Sequence, residues 1–228
     1  MSDTTLEYDR SGSALILVDI QPDFMPGGAL PVEEGDRIIE PVRRLLEQDP
    51  FALYVATQDW HPPAHVSFAS SHPGRRPFET ITVHGHEQTL WPDHCVQGTP
   101  GARLHPDLPL EHVSAIIRKG TDADTDSYSG FRNNWNAAGA RPPTGLTGYL
   151  MEGGVRSVLL CGLARDFCVK WSAEDASAAG FATAVLWDLS RPVDPSSDDR
   201  VLADLRAAQV EVIDSDKIAR RTLNASRS

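Results

Sequence analysis

The chain has 228 residues, 40% of them hydrophobic, which is enough for one substantial core or at most two small ones. A formal net charge of −11 with no basic cluster argues against nucleic acid or an anionic membrane as partner and leaves a small molecule as the expected ligand. The polar, acidic start "MSDTTLEYDRSGS" lacks the charge and apolar run of a secretory signal, no stretch approaches membrane-spanning length, and three cysteines make no disulfide framework, so a cytoplasmic location is expected.

Short apolar runs alternate with helical patterns along the chain. "ALILVD" ends at Asp19, "FALYVATQD" at Asp59 and "VSAIIRK" at Lys119; "SVLLCG", "FATAVLWD" and "VEVID" follow. Between them "GDRIIEPVRRLLEQ", "TGLTGYLMEGG", "DFCVKWSAEDASAAG" and "SDDRVLADLRAAQ" carry helical spacing. This alternation predicts a three-layer α/β/α fold, an open, mostly parallel sheet of about six strands with helices on both faces. It reads as one domain over residues 1–228, with 1–12 and 219–228 as mobile tails.

In such sheets ligands bind beyond the carboxyl ends of the strands. Asp19, Asp59, Lys119 and the thiol of Cys168 all fall at or just past such an end. Each alone is equally a turn-capping or solvent-reaching residue, but four at one edge define a candidate site. Lys119 is one of only three lysines, with 170 and 217, in a chain that otherwise uses arginine. A compact ammonium is suited to sit between an acid and a thiol and favour the thiolate.

The stretch "CGLARDFCVKWSAEDASAAG" places Cys161 near a strand end and Cys168 in the first turn of a helix, with Asp166 as its expected N-cap. A helix N-terminus favours a thiolate, so Cys168 is the candidate nucleophile; taken alone it is equally a small core residue.

All eight histidines lie between His61 and His112. "TQDWHPPAHVSF" offers Asp59, His61 and His65, brought together only if the chain bends at Pro62 and Pro63, and "LWPDHCVQG" offers Asp93, His94 and Cys95. Carboxylate plus imidazole suits zinc, iron or manganese, although D-x-H alone is a weak signal. "GTDADTDSYSGF" imitates a calcium loop but has Ser127 at the glycine position and Asn133 at the bidentate acid, so it reads as an Asx-rich turn. The first strand leads into "IQPDFMPGGAL" and not a dinucleotide fingerprint.

Taken as a set, "LILVDIQPDFMPGGAL", "TQDWHPPAHVSFAS", "TLWPDHCVQGTPGA", "RKGTDADTDSYSGF" and "CGLARDFCVKWSA" resemble the nicotinamidases among the isochorismatase-like cysteine hydrolases, over about Ala14 to Asp214. The resemblance implies a catalytic trio of Asp19, Lys119 and Cys168, and one divalent metal ion, zinc before iron or manganese, on Asp59, His61 and His94. It leaves open whether His65 also coordinates that ion or only stands beside its ligands. It further implies a ring pocket lined by Phe24, Trp91, Tyr128 and Phe167, and an oxyanion hole from the N–H groups of Ala164 and Cys168, with a cis peptide before Ala164. Arg165 departs from the pattern, where a small or uncharged residue, commonly threonine, is expected; such a cation either points to solvent or alters the pocket mouth.

The implied activity is hydrolysis of nicotinamide to nicotinate and ammonia through a cysteine thioester, in NAD salvage, with pyrazinamide as a second substrate. The alternatives are a superfamily amidohydrolase for ureido or carbamoyl substrates, a metal hydrolase whose bound water attacks, and a non-catalytic binder. Whether the chain forms a homo-oligomer is left open by the sequence.

Overall fold

The computed structural model describes residues 10–48 and 50–218. Six strands, β1 (Ser13–Val18), β2 (Leu53–Asp59), β5 (Ala115–Lys119), β6 (Ser157–Leu163), β7 (Ala182–Arg191) and β8 (Glu211–Ile213), form one sheet in the order β5-β2-β1-β6-β7-β8, parallel throughout. Every residue of β1 and of β6 is buried, as expected of central parallel strands covered on both faces.

The order shows how the chain winds. From β1 it moves out to β2 and β5, then returns to lay β6 on the other side of β1 and continues to β7 and β8. α1 (Ile39–Gln48) lies on the crossover from β1 to β2 and α3 (Lys170–Ala178) on that from β6 to β7; the two run in opposite directions along the sheet, which under the right-handed rule puts their helices on opposite faces. α1 buries Ile39, Val42, Leu45 and Leu46, one stripe at helical spacing, while Glu40 pairs outward with Arg43 and Arg44. α2 (Leu146–Glu152) lies on the crossover from β5 to β6, and α4 (Asp198–Ala207) on that from β7 to β8. The strand order reverses between β1 and β6, and a crevice beyond their carboxyl ends is where such a sheet binds its ligand.

Two features differ from the sequence reading. A two-stranded antiparallel hairpin, β3 (Thr80–Val83) and β4 (His86–Thr89), was not anticipated, because its strands are four residues each and largely polar. Its turn is His84-Gly85, both at positive φ, the geometry of a tight two-residue hairpin. Of the expected tails, Arg10–Gly12 instead form a 3₁₀ turn leading into β1, and the Gly12 carbonyl accepts from the N–H of Arg156; residues 1–9 and 219–228 lie outside the described residues.

Candidate active site

The parallel register does much of the assembly. Asp59 and Lys119 are paired positions at the carboxyl ends of β2 and β5, Asp19 follows β1 directly, and the turn carrying Cys168 follows β6. The close approach of β6 to β1 requires glycine at 162, where φ is +120° and a Cβ would lie 2.0 Å from the Val18 carbonyl oxygen. Asp19 has a left-handed backbone and is locked by Thr57, whose hydroxyl accepts from the Asp19 N–H and donates to Oδ1 at 2.6 Å.

Lys119, with a fully buried side chain, is the hub. Its Nζ donates to Asp59 Oδ1 in a short hydrogen bond, to the Ser127 carbonyl at 2.9 Å and to Cys168 Sγ at 3.4 Å. It also pairs by charge with Asp19 Oδ2 at 2.9 Å, but without hydrogen-bond geometry, so that this buried oxygen accepts no hydrogen bond among the described residues. An oxygen of Asp19, an oxygen of Asp59 and the Cys168 sulfur all lie within 4.8 Å of one another.

Cys168 occupies a π-helical turn, Arg165–Val169, ahead of α3 and after the cis peptide Leu163–Ala164. Asp166 is not the cap of this helix. Its buried carboxylate instead accepts from the N–H groups of Val193 and Asp194, because the turn is docked against the segment following β7. Nor is the resting thiol activated as the helix terminus and Lys119 led one to expect. Burial pushes the Cys168 thiol well up, Lys119 opposes this, and the carboxylates of Asp19 and Asp59 add to the rise. The group at rest is a thiol that needs a base. For Asp19, burial outweighs the pull of Lys119 and raises the carboxyl to about 6, so it is mostly ionised at neutral pH.

Beside this trio lies a second cluster. Asp59 turns its other oxygen, Oδ2, to His61 Nε2 at 3.6 Å and His94 Nε2 at 3.8 Å, too long for hydrogen bonds. The far nitrogens are held by the backbone: His61 Nδ1 donates to the Gly120 carbonyl at 3.0 Å and His94 Nδ1 to that of Pro92 at 2.8 Å. Each ring therefore turns its Nε2 to a shared carboxylate oxygen, the orientation a metal ligand requires; burial works against a charge on His61, but Asp59 outweighs it and raises the group. Burial tends to raise the Asp59 carboxyl, but Lys119, His61 and His94 outweigh it and hold it well below the usual range. Burial and the neighbouring His61 push His94 down to about 4. Asp59, His61 and His94 fit a divalent ion with positions left open for another ligand.

His65 stands beside this cluster. Its Nδ1 is hydrogen-bonded with the Ser67 hydroxyl at 2.7 Å, and its ring lies tilted against that of His61 with centroids 4.3 Å apart. With Asp126 and His61 it forms a further group of ligand type. Cys95 is fully buried in the core, and burial together with nearby carboxylates raises its thiol, so packing is its role; Asp93 is exposed and outside the site. The Asx-rich reading of 120–131 holds, since Asp122 Oδ1 accepts from the Asp124 N–H.

Cys168 of the trio and Asp59, His61 and His94 of the second cluster line one pocket, whose walls also include Ala164 and Phe24, Trp91, Tyr128 and Phe167, the aromatic residues singled out in the sequence. Trp91 and Phe167 stand edge to face at 4.8 Å. Leu30, Asp126, Ser127 and Val193 also line it and were missed; they sit on irregular segments with no periodicity to mark a face. Gln21 was missed too: it donates to the carbonyls of Asp59 and Ala102 and accepts from the Asp59 N–H, fixing the end of β2. Arg165 points neither to solvent nor into the pocket mouth but is buried behind the turn.

A buried thiol with its own acid and ammonium, next to a cluster of ligand-type side chains in an aromatic pocket, is the equipment of a hydrolase. The chain matches the family model for the isochorismatase domain over residues 13–217, and it belongs to that family. It is 48% identical to a nicotinamidase of Acinetobacter baylyi over 79% of this chain and 82% of that protein. Among solved structures it is similar to an Acinetobacter baumanii nicotinamidase/pyrazinamidase, at 44% identity and TM-score 0.85 over 91% of this chain and 98% of that one. It is also similar to a Pyrococcus horikoshii pyrazinamidase solved in complex with zinc, at 38% identity and TM-score 0.71 over 89% and 98%.

Proposed function

We propose that this protein is a nicotinamidase, a single-domain hydrolase that cleaves the linear amide of nicotinamide to nicotinate and ammonia, serves NAD salvage in the cytoplasm, and also deamidates pyrazinamide. The observation that carries this reading is one aromatic pocket lined both by Cys168, which Lys119 touches from behind, and by the Asp59–His61–His94 cluster. Its four aromatic walls suit a single flat heteroaromatic ring.

In this reading the amide carbon is placed over Cys168 Sγ by the ring walls Phe24, Trp91, Tyr128 and Phe167. Asp19 Oδ2, a buried acceptor without a donor, takes the thiol proton as sulfur attacks. The backbone N–H groups of Ala164 and Cys168 hold the oxyanion, and Asp19 returns the proton to the departing nitrogen, releasing ammonia and leaving a thioester. Asp19 then deprotonates the water that hydrolyses the thioester. Lys119 offsets the charge of Asp19, Asp59 and the transient thiolate, so their titrations belong to the group and not to single residues.

Asp59, His61 and His94 hold one divalent ion, which we assign as zinc from the donor set and from the zinc-bound relative. When bound, the ion supplies a Lewis acid for the pyridine nitrogen and withdraws electron density from the ring. The test is ammonia release from nicotinamide and pyrazinamide by protein of known metal content. Turnover of both is expected; a metal-loaded protein inert toward both overturns the reading.

A further inference from the structure

The ladder between β6 and β7 breaks beside the nucleophile turn. Leu160 pairs with Val185, but the next pairing is Gly162 with Ser190, so two steps along β6 match five along β7 and three residues of β7 are out of register. Backbone carbonyls in such a bulge lose their ladder donors and must find others. Arg165 supplies them. Its Nη2 donates to the carbonyls of Trp187 at 3.2 Å and Ser190 at 2.6 Å, its Nε to the Ser190 hydroxyl at 3.1 Å and its Nη1 to Asp198 at 2.8 Å, while the guanidinium lies 3.8 Å over the Trp187 ring. The side chain is 6% exposed.

Asp166 completes the attachment from the next position, accepting from the N–H groups of Val193 and Asp194. The acceptors of segment 187–190 thus bind the cation and the donors of 193–194 bind the anion, and both charges belong to the turn that carries Cys168. Val193 is itself a pocket wall.

We propose that Arg165 is a positioning residue for the reaction: by filling the β7 bulge it fixes the depth of the 164–168 turn, and with it the Ala164 and Cys168 N–H groups aimed at the oxyanion. This role rests on the proposed amide hydrolysis. A neutral side chain at 165 leaves the Trp187 carbonyl to the Ser190 hydroxyl alone and the Ser190 carbonyl to Arg191 alone, and it strips the buried cation from Asp198, so the tie between the turn and β7 loosens and the turn shifts. Of the ring walls only Phe167 rides on this turn, while Phe24, Trp91 and Tyr128 stand on other segments, so ring binding changes less than the oxyanion contacts. The loss therefore falls on kcat and not on KM.

The experiment compares Arg165→Met, Arg165→Lys and Arg165→Gly with the unsubstituted, metal-loaded enzyme. Arg165→Met lowers kcat by about tenfold or more with KM within about twofold, and Arg165→Lys recovers only part, because an ammonium cannot span the same acceptors. Arg165→Gly opens a channel to the surface depression lined by Arg191, Pro192, Pro195 and Asp198, and millimolar guanidinium raises its kcat without affecting the unsubstituted enzyme. A folded Arg165→Met with unchanged kcat, or one altered only in KM, overturns the proposal. If the Arg165 variants do not fold, Asp198→Asn loosens the same clamp, and an unchanged kcat there overturns it equally. If the unsubstituted chain does not hydrolyse nicotinamide, the functional reading fails separately. The positioning is then read from the rate at which iodoacetamide labels the Cys168 peptide: a changed rate in Arg165→Met upholds it and an equal rate refutes it.

Discussion

Lys119 Nζ reaches Cys168 Sγ at 3.4 Å from the far side of the sheet's switch point, with its whole side chain buried. The ammonium touches two carboxylates and the thiol at once, so it is the element on which the charge balance of the site depends.

Removing that charge leaves Asp19 buried without a counter-ion and Asp59 with only the metal cluster to offset it. Lys119→Met is expected to destabilise the fold by about 3–5 kcal/mol and to abolish turnover, the first read by denaturant unfolding of the metal-loaded protein. A variant as stable as the parent would show that the carboxylates do not need the ammonium.

Burial holds Asp19 at about 6, and the base must be ionised to take the thiol proton. As pH falls through about 6 the carboxylate is protonated and kcat/KM drops, with an acid limb near that value and not near the ordinary aspartate range. The same shift acts on stability with a definite sign. Because the folded-state pKa is raised, the folded state holds a proton that the unfolded state has lost between about 4 and 6, so this group's contribution to stability declines as pH rises across that window. A pH profile of kcat/KM that stays flat down to pH 5 would contradict the assignment.

Gly120 adopts φ +63°, and a Cβ there would lie 2.3 Å from the His61 ring, whose Nδ1 it anchors through its carbonyl. Gly120→Ala is expected to tilt His61 and weaken metal binding by about 10–100-fold, measured by competition with a chelator. Unchanged affinity would mean that the anchor does not orient the ligand.

Stripping the metal should unpair the Nε2 lone pairs of His61 and His94 from their common ligand while leaving Cys168, Asp19 and Lys119 in place. We expect loss of nicotinamide turnover, a lower melting temperature, and recovery of both on adding one equivalent of zinc per chain. Activity retained at verified metal depletion would remove the ion from the account.

The sheet and most of the site were legible because strand ends in a parallel sheet converge by rule. Asp19, Asp59 and Lys119 each close an apolar run, and register alone makes Asp59 and Lys119 neighbours. Less legible was what depends on side chains crossing between segments. The hairpin β3–β4 offered alternation only over the four residues of β3 and none in the all-polar β4, yet its Gln88 donates to Asp126 and the Tyr128 hydroxyl at the pocket wall. The thiol's raised pKa follows from burial among carboxylates brought in from 109 and 149 residues away in the chain, Asp59 and Asp19, which a helix-terminus argument does not see. Asp166 and Arg165 were misread for one reason: the β7 bulge that recruits Arg165, and the loop after it that Asp166 holds, are invisible in a sequence that simply reads as a strand.

The central claim is that the Cys168 sulfur, and not a metal-bound water, attacks the amide. The most direct measurement is ammonia release by Cys168→Ala with its metal content verified, beside a rapid-quench mass analysis of the unsubstituted enzyme turning over nicotinamide. The account predicts a loss of about 10³-fold or more in kcat for the variant with metal retained, and a nicotinoyl group on the Cys168 peptide of the parent. Substantial turnover by metal-loaded Cys168→Ala would contradict it and make the metal cluster the reacting centre.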